Sequence, residues 1–361
     1  MRKEIIMKKF ALYMSDIDNY HLTKDVGLIP FIMQKYYGFD SCILIPENNK
    51  QYTDNDKYLE NLKIIKFEDN NKLLNYLKEV DVLMVIGIYD FNISIINSYK
   101  YFNPNGKVYL KLDANLYWLN ELNSSITEDT LNTLKKCDLI TCESRKIQYF
   151  IKSHWDLSSD LMLNGYYEFV DDTFITYEEK ENIILFVGRI GSYQKSIDIL
   201  LNAFKNIESK IPNWKIELIG NMEEGFIRFI YNYFNENPHL MERAIITNYL
   251  DKKELKQKYK RSKVFCLTSI WEGCPNVFAE AISNGCYLIT SDVTSAIEMI
   301  DYGNYGRIFP VKNTTELENE LIRVCNDNKL LQNNCEASQI YSRNNLCWIN
   351  LCGIINNKLA L

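Results

Sequence analysis

Residues 263–292 read KVFCLTSIWEGCPNVFAEAISNGCYLITSD, which is the clearest structural pattern in the chain. The first and last parts, KVFCLTSI and CYLITSD, are β-rich runs that are apolar on both faces, as in parallel strands covered by helices. Between them, NVFAEAIS has a helical pattern, and Asn284-Gly285 is a helix-stop signal. The stretch therefore predicts a strand–helix–strand unit, with the turn WEGCP at the carboxyl end of the first strand.

The same alternation of short apolar runs and longer helical periods extends in both directions along the chain. Helical stretches such as KDVGLIPFIMQKYYG and SIDILLNAFKNIESK separate the runs. The strand candidates are KKFALYM, SCILIP, LKIIKF, VDVLMVIG, KVYLKLD and DLITCE in the first half, and NIILFVGR, WKIELIG, AIITNYL, KVFCLTS, CYLITSD and GRIFP in the second. Repeated strand–helix alternation predicts an α/β protein with two doubly wound, Rossmann-like domains.

The length of 361 residues fits two domains of ~150 residues each. The acidic, polar segment 166–182 lies between two strand candidates, and we place the linker near residues 168–180. We expect one domain over residues 1–168, a second over 169–340, and a helix over 341–361. Two facing domains of this kind form a cleft between their carboxyl strand ends, where ligands usually bind.

Composition excludes several classes of protein. A net charge of -6 argues against attraction of the whole surface to nucleic acid or anionic lipid. The ten cysteines include no Cys-x-x-Cys pair, and the three histidines are far apart, so we expect no metal site. The start shows no secretory leader, and no run reaches the ~20 apolar residues of a membrane span. We expect a cytoplasmic protein, with peripheral contact at the inner face of the membrane and the oligomeric state left open.

The segment FVGRIGSYQKSIDILLNAF, residues 186–204, places two cations in a strand-to-helix loop. Arg189 and Lys195 follow Gly188 and precede an amphipathic helix. Such a pair suits a diphosphate, because Arg binds bidentately, Lys supplies a compact charge and a helix N-terminus attracts anions. The alternative is an ordinary solvated loop. The loop lacks the Walker A spacing, and no G-x-G-x-x-G follows any strand.

The stretch WEGCPNVFAEAISNG also contains two glutamates eight positions apart. Glu272 sits in the turn after the strand, and Glu280 lies within the helix. A carboxylate accepts two hydroxyl hydrogens, which suits sugars and riboses. The amides of Cys274, Asn276 and Val277 lie at the helix start and can bind anionic or hydroxyl oxygens. On spacing alone, two such glutamates are also common on an ordinary helix.

The order of these motifs resembles that of the nucleotide-sugar-dependent glycosyltransferases of the GT-B fold grouped as glycosyltransferase family 4. The resemblance is strong from about residue 137 to residue 350 and weak before it, and it depends on the joint order of the motifs. The matching segments are DLITCESRKI (138–147), LMLNGYYE (161–168), FVGRIGSYQKSIDILLNAF (186–204), SIWEGCPNVFAEAISNGCYLITSD (269–292), IEMIDYGNYGRIFP (297–310) and CWINLCGIINNKL (347–359).

The resemblance implies that residues 1–168 form the acceptor-side domain, that residues 169–340 bind the donor, and that a helix over 341–361 crosses back to the first domain. It also implies a role for individual residues. Arg189 and Lys195 would hold the donor diphosphate and stabilise the leaving nucleoside diphosphate, so that no cofactor or dissolved metal is required. Glu272 would contact the transferred sugar, and Glu280 would bind the ribose. Further donor contacts are expected at Gly188, at the turn amides of Gly273, Cys274, Asn276 and Val277, and at Tyr249 and Leu250 of the segment TNYL, whose backbone would meet the base.

The N-terminal half departs from the family pattern in two places. Many members carry a glycine pair that approaches the donor, whereas residues 14–30 contain only Gly27. Asp25 or Gly27 is expected near the phosphates. Many members also place a His after a central strand, where this chain has Lys111 or Asp113. Asp113 is either a turn residue or a group that orients the acceptor, and whether it replaces the His stays open.

The resemblance implies a retaining enzyme that transfers a sugar from a UDP- or GDP-sugar to a polysaccharide, lipid-linked or protein-glycan acceptor. Family analogy favours front-face attack over a double displacement, which would need a carboxylate nucleophile ~3 Å from the anomeric carbon. The open alternative is a non-catalytic GT-B subunit that binds a glycan or a partner transferase. A dinucleotide-dependent dehydrogenase is disfavoured, because the glycine fingerprint is missing.

Overall fold

The computed structural model describes residues 7–47, 58–169 and 173–360. The first six residues, on which the absence of a leader was inferred, lie outside this description, as do residues 170–172 of the expected linker. The described residues form two compact units. The first unit runs to Phe169 and resumes at Cys347, and the second ends at Leu346. Each unit contains one parallel sheet with helices, which confirms the predicted α/β class.

The first unit is built on a sheet with the strand order β3-β2-β1-β4-β5-β6-β7. Its strands are β1 (Lys9–Tyr13), β2 (Asp40–Pro46), β3 (Lys63–Phe67), β4 (Val82–Ile86), β5 (Lys107–Lys111), β6 (Leu139–Cys142) and β7 (Asp160–Leu161). Its helices are α1 (Asn19–Leu22), α2 (Asp25–Tyr37), α3 (Asn70–Leu77), α4 (Asp90–Phe102), α5 (Leu116–Asn123), α6 (Glu128–Leu134) and α7 (Arg145–Trp155). The sequence predicted β1 to β6 but not β7, because two residues are too short to show a pattern.

The second unit is built on a sheet with the strand order β10-β9-β8-β11-β12-β13. Its strands are β8 (Glu181–Val187), β9 (Lys215–Ile219), β10 (Ala244–Thr247), β11 (Ser262–Leu267), β12 (Tyr287–Ser291) and β13 (Gly306–Phe309). Its helices are α8 (Ile197–Ile207), α9 (Glu224–Glu236), α10 (Lys252–Arg261), α11 (Asn276–Ser283), α12 (Ala296–Met299), α13 (Thr314–Cys325) and α14 (Asn328–Asn345). Short 3₁₀ turns occupy Tyr177–Glu179, Pro238–Leu240 and Asp301–Gly303.

The helix-stop signal of the sequence is confirmed in the second unit. Helix α11 coincides with NVFAEAIS and ends at Ser283, one residue before the Asn284-Gly285 pair. Gly285 has a φ of +74°, in the left-handed region that favours glycine. A Cβ at this position would lie 2.9 Å from the carbonyl oxygen of Cys335. Both the backbone conformation and the close packing therefore require glycine here.

The C-terminal segment is divided between the two units. Helix α14 belongs to the second unit, where Gln339 Nε2 donates to the carbonyl oxygen of Ile175 at 2.9 Å. The last helix, α15 (Trp348–Lys358), belongs to the first unit and packs on α2. Tyr37 donates its hydroxyl hydrogen to the carbonyl oxygen of Ile349 at 2.7 Å, and Trp348 is fully buried. The chain therefore returns to the first unit after α14, at Cys347.

Both sheets contain a switch point, where the strand order reverses direction. The switch point lies between β1 and β4 in the first sheet and between β8 and β11 in the second. At such a point the connections leave the carboxyl ends of two neighbouring strands in opposite directions, which opens a crevice for a ligand. The loop with Arg189 follows β8 and the turn with Glu272 follows β11, so the two predicted donor segments share the switch point of the second sheet.

Candidate active site

The loops after β8 and β11 are joined by hydrogen bonds at the carboxyl edge of the second sheet. The amide of Ile270 donates to the carbonyl oxygen of Gln194 at 2.8 Å. The hydroxyl of Thr268 donates to the carbonyl oxygen of Lys195, also at 2.8 Å. Both acceptors are backbone oxygens of the β8 loop, so these bonds fix the two loops relative to each other.

An ion pair between Lys195 and Glu272 lies at the centre of this edge. The distance from Lys195 Nζ to Glu272 Oε1 is 2.5 Å, and the two side chains are only 14% and 12% exposed. Ser269 donates its hydroxyl hydrogen to the same carboxylate oxygen at 2.7 Å. An ammonium has three N–H donors and a carboxylate has several acceptor positions, so each group can hold its partner and a ligand together. Two of the predicted catalytic residues are therefore direct neighbours.

Arg189 is linked to the same group through Gln194. Arg189 Nη2 donates to Gln194 Oε1 at 2.8 Å, and Gln194 Nε2 donates to the carbonyl oxygen of Trp271 at 2.9 Å. The guanidinium has five N–H donors in a planar fork, so this bond orients the group and leaves donors for an anion. The sequence analysis did not single out Gln194, although its position beside Lys195 in a polar loop was a signal.

Close backbone packing shapes the base of the β8 loop. The amide of Gly188 donates to the carbonyl oxygen of Ile219 at 2.9 Å. Gly220 has a φ of +145°, and a Cβ there would lie 1.9 Å from the carbonyl oxygen of Gly188. A Cβ on Gly188 would in turn lie 3.4 Å from Lys195 Cε. Glycine at position 220 is therefore required by the approach of two loops, and Gly188 lies next to the lysine side chain.

A cavity of 450 Å³ opens at the carboxyl ends of β9 and β10. It is lined by Gly220, Asn221, Met222, Ile246 and Asn248. Asn248 belongs to the segment TNYL, which the family resemblance associates with the donor base. Of the two residues named there, Tyr249 is 70% exposed and Leu250 is half-buried. The lining residues come from two different strand-to-helix loops, which is why the sequence did not indicate them together.

Glu280 has partners of its own on helix α10. Its Oε1 accepts from Lys252 Nζ at 2.6 Å, and its Oε2 accepts from the Tyr259 hydroxyl at 3.0 Å. Burial, followed by the charge of Glu280, holds the pKa of Tyr259 well above its usual value, so the tyrosine stays a donor. Glu272 thus pairs with Lys195, and Glu280 pairs with Lys252. This separation is consistent with contacts to two different parts of a ligand. The sequence analysis missed Lys252 and Tyr259 as partners of Glu280.

The start of helix α11 adds backbone donors directly after the turn with Glu272. Pro275 precedes the helix, so the amides of Asn276 and Val277 are first-turn donors. Cys274 is buried at 7% exposure, and the side-chain oxygen of Asn276 is buried without a hydrogen-bond partner in the described part of the chain. A helix start favours anions through its partial positive charge. The edge therefore combines two cations, two carboxylates and a helix N-terminus.

A second group of charges lies at the carboxyl edge of the first sheet. Lys111, the last residue of β5, is 1% exposed and contacts Glu143 Oε1 at 2.8 Å and Asp25 Oδ2 at 3.0 Å. Asp113 lies 3.5 Å from the same ammonium, and its amide donates to Glu143 at 3.2 Å. Asp113 has a φ of +44°, a strained conformation for a residue other than glycine. The structure therefore brings Asp25 and Asp113 together through Lys111 and Glu143, and the sequence analysis missed Glu143.

Gly27 is accounted for by packing within the first unit. It is the third residue of α2, and a Cβ there would lie 2.3 Å from the carbonyl oxygen of Leu22 at the end of α1. The close approach of these two helices requires glycine at this position. Its expected role beside the donor phosphates stays a prediction.

The buried Lys111 and Glu143 of the first unit have shifted pKa values. Burial raises the pKa of Glu143 to about 6, although the charge of Lys111 acts in the opposite direction. Burial lowers the proton affinity of Lys111, but the charges of Glu143 and Asp25 outweigh it and hold the lysine pKa well above its usual value. Between pH 4.5 and 7, Lys111 is therefore always charged, and Glu143 is the member of this pair that titrates.

This titration predicts a pH-dependent stability. A folded-state pKa near 6, against an ordinary 4.5, means that the folded chain binds more protons than the unfolded chain between these values. Stability is then full below pH 4.5 and is lost as the pH rises to 6. Glu143→Gln cannot titrate at this position and serves as the reference. The unfolding free energy of the wild-type first unit minus that of Glu143→Gln should fall by about 2 kcal/mol from pH 4.5 to 7. Urea unfolding at several pH values measures this difference, and a constant difference would contradict the assignment.

Within residues 7–47, 58–169 and 173–360, no group of three or more His, Cys, Asp or Glu side chains is arranged to hold a metal ion. Over the same ranges, every helix is too short or too polar to cross a bilayer.

One family model matches the second unit, and several relatives match part of the chain. Residues 171–340 match the family model described as Glycosyl transferases group 1. The amylovoran biosynthesis glycosyltransferase AmsD of Erwinia amylovora is 33% identical over 138 residues, which cover 37% of this chain and 36% of that protein. An α-1,4-N-acetyl-D-galactosaminyltransferase of Campylobacter jejuni is 28% identical over 170 residues, covering 46% of this chain and 45% of that protein. The chain thus aligns with less than half the length of these two relatives.

Solved structures match over both units. The crystal structure of Anabaena Alr3699/HepE in complex with UDP has a TM-score of 0.74 and 15% identity, and covers 98% of this chain and 100% of that one. The lipopolysaccharide outer core galactosyltransferase WaaB has a TM-score of 0.64 and 18% identity, with 94% and 98% coverage. These likenesses confirm the GT-B fold.

The chain has the fold of the GT-B glycosyltransferases and is similar to glycosyltransferase family 4. The match to the group 1 glycosyl transferases covers residues 171–340, which is just under half of the chain.

Proposed function

We propose that the chain transfers a sugar from a UDP- or GDP-sugar to a polysaccharide, lipid-linked or protein-glycan acceptor, with retention of the anomeric configuration. The second unit would bind the donor, and the first unit would bind the acceptor. The observation that carries the proposal is the buried Lys195–Glu272 pair at the switch point of the second sheet. In this proposal, Lys195 would bind the diphosphate and Glu272 the sugar, at the edge where α/β sheets usually bind ligands.

The proposed reaction breaks the bond between the anomeric carbon and the diphosphate oxygen. Negative charge then develops on the leaving diphosphate, and Lys195 and Arg189 would stabilise it, together with the start of α11. The acceptor hydroxyl would attack from the same face, and the departing phosphate oxygen would take its proton. Glu272 would hold hydroxyls of the transferred sugar, and Glu280 would hold the ribose. The measurement that tests this route is the anomeric configuration of the product, and an inverted product would exclude it.

Relatives support the choice of donor and acceptor classes. The Anabaena protein was crystallised with UDP and with UDP-glucose, so UDP-sugars are the first donors to test. The relative from Campylobacter jejuni acts on a glycan linked to undecaprenol diphosphate, and the relative from Erwinia amylovora acts in amylovoran biosynthesis. We therefore propose a growing polysaccharide or a lipid-linked glycan as the acceptor to test before a protein glycan.

The proposal predicts that nucleoside diphosphates stabilise the protein against heat. A ligand at 100 times its dissociation constant stabilises the folded state by about 2.7 kcal/mol, so UDP or GDP should raise the Tm by several degrees. The corresponding nucleosides should act less, because they lack the diphosphate that Arg189 and Lys195 would bind. An equal response to nucleoside and nucleoside diphosphate would contradict the assignment of these two residues.

The alternative is a non-catalytic GT-B subunit, and nucleoside diphosphate release separates the two functions. An enzyme should release UDP or GDP from at least one nucleotide sugar, and Glu272→Gln should reduce that release. The altered N-terminal motif favours the alternative mildly, since Lys111 or Asp113 is found where many related enzymes have a His. A chain that releases nothing from any donor, while Glu272→Gln keeps all glycan binding, would support the binding subunit.

A further inference from the structure

Five aromatic rings form a continuous row along the carboxyl edge of the first sheet. In the order Phe67, Tyr13, Phe91, Tyr89 and Trp118, neighbouring ring centroids are 6.1, 6.2, 5.3 and 6.0 Å apart. These are the separations of packed aromatic pairs. The rings belong to the ends of β3 and β1, to the start of α4 after β4, and to the start of α5 after β5. The row therefore crosses the switch point between β1 and β4, where a ligand crevice is expected.

The aromatic row is buried at its Phe67 end and exposed at Phe91 and Tyr89, next to the half-buried Trp118. Tyr13 and Phe67 are both 9% exposed, whereas Tyr89 is 49% and Phe91 is 40% exposed. The planes of the Tyr89 and Phe91 rings are within 10° of parallel. The backbone accommodates this arrangement, because Gly87 has a φ of +77° and a Cβ there would lie 2.5 Å from Tyr89 Cε2. The exposed rings are thus supported by a packed base.

A carboxylate borders the exposed end of the aromatic row. Asp113 follows β5, which is the neighbour of β4, and its side chain is 47% exposed. Its backbone is held by the bond from its amide to the buried Glu143. Burial, and then the charge of Asp113, raises the pKa of the Tyr89 hydroxyl, so the two groups are within electrostatic range. Flat aromatic surface and an acceptor of hydroxyl hydrogens therefore occur side by side.

A pyranose ring offers the complementary groups. One face of many pyranoses presents C–H bonds, whose positive hydrogens are attracted to the negative face of an aromatic ring. The hydroxyl rim supplies donors for a carboxylate. A phosphate would be repelled by Asp113 and by the exposed Asp90. An isoprenoid chain would remove water from Asp113 without offering it a hydrogen bond.

We propose that Tyr89, Phe91 and Asp113 form the subsite for the terminal sugar of the acceptor, which is therefore a glycan ending in a neutral pyranose. The inference rests on the proposed function, because it assigns the acceptor of that reaction. The two rings bind the C–H face of the sugar, and Asp113 accepts hydrogen bonds from its hydroxyls. Polysaccharides and lipid-linked oligosaccharides both satisfy this requirement, whereas a lipid phosphate without a sugar does not.

Saturation-transfer NMR with simple sugars tests the subsite without any donor. The probes are the methyl α-D-pyranosides of glucose, galactose, mannose and N-acetylgalactosamine, and sorbitol is the control with hydroxyls but no ring. At least one pyranoside should receive saturation from the full-length protein, and sorbitol should receive none. Tyr89→Ala should weaken the binding about two- to tenfold, while Tyr89→Phe should keep it. Tyr101→Ala is the matched control, because Tyr101 lies on the same helix, is 79% exposed and is outside the aromatic row.

A second measurement separates this inference from the proposed function. Transfer to a glycan acceptor should fall in Tyr89→Ala, while Tyr101→Ala should keep both this transfer and nucleoside diphosphate release at the wild-type level. If the wild type released no nucleoside diphosphate but the pyranoside signal still depended on Tyr89, the proposed function would fail and the subsite would stand. Two results would overturn the subsite: no pyranoside binds, or Tyr89→Ala removes binding to vesicles containing undecaprenyl phosphate and leaves the pyranoside signal unchanged.

Discussion

Replacing Lys195 by alanine is expected to lower the kcat of nucleoside diphosphate release by about 10²- to 10³-fold. The reason is that the charge on the leaving diphosphate develops beside this ammonium, in a site where both Lys195 and Glu272 are shielded from water. A charge that acts there is screened far less than one at an exposed surface. Steady-state kinetics with a UDP- or GDP-sugar, together with the Kd of the free nucleoside diphosphate, provide the measurement.

The ion pair introduces a structural effect that must be separated from the catalytic one. Removing Lys195 leaves Glu272 with the Ser269 hydroxyl as its remaining partner, which costs about 1–3 kcal/mol of stability. Lys195→Gln keeps an N–H donor for Glu272 but removes the charge, so it should fold normally and still lose the same activity. Lys210→Ala changes the net charge equally at an exposed position and should keep full activity. Wild-type kcat in Lys195→Gln would exclude the proposed role of the lysine.

Arg189→Ala should also weaken donor binding, but it should lower kcat less than Lys195→Ala does. Arg189 is exposed and is oriented by a bond to Gln194, so water can replace part of its interaction with the diphosphate. If neither Arg189→Ala nor Lys195→Gln changed the kinetics, the diphosphate would have to bind elsewhere.

The second large effect is a division of roles between the two glutamates. Glu272→Gln should lower kcat by about 100-fold with little change in the Kd of the nucleoside diphosphate, because this residue would contact the sugar during transfer. Glu280→Ala should do the opposite and raise that Kd by roughly 10- to 100-fold, as expected for the loss of charged hydrogen bonds to the ribose. Isothermal titration with the nucleoside diphosphate and steady-state kinetics measure the two quantities separately.

A matched carboxylate provides the control for Glu280. Glu181 also pairs with a cation, Arg261, at 2.6 Å, but it is more than half exposed and lies at the opposite end of β8 from the candidate site. Exposed pairs of this kind contribute little, so Glu181→Ala should leave both the Kd and kcat unchanged. Equal and small effects of Glu272→Gln and Glu280→Ala would refute the division of roles.

The strands of the sequence analysis correspond closely to those of the structure, and the reason is physical. A strand buried on both faces must be apolar throughout, and a helix that covers it must be apolar at every third or fourth residue, so both patterns appear in the sequence. The same reasoning locates the cations after β8 and the glutamates after β11. The sequence did not predict strand β7 or the start of α15 at Trp348, because a two-residue strand and a single helix boundary carry little pattern.

The side-chain contacts between residues of the candidate site could not be predicted from such patterns. Lys195 and Glu272 are 77 residues apart in the chain, and their contact at 2.5 Å exists because β8 and β11 are neighbours in the sheet. Lys252 begins the basic helix α10, which the sequence analysis did not connect with the candidate site, yet it pairs with Glu280. The contact between Lys111 and Glu143 likewise depends on the pairing of β5 with β6.

The sequence alone therefore determined the fold class and indicated the segments of the proposed donor site, because these depend on local periodicity and on the order of motifs along the chain. The pairing of charges, the raised pKa of Glu143 and the aromatic row of the first unit were decided only by the tertiary structure. Each of these features depends on which strands are neighbours and on how much water is excluded between them, and neither property is encoded in any single stretch of residues.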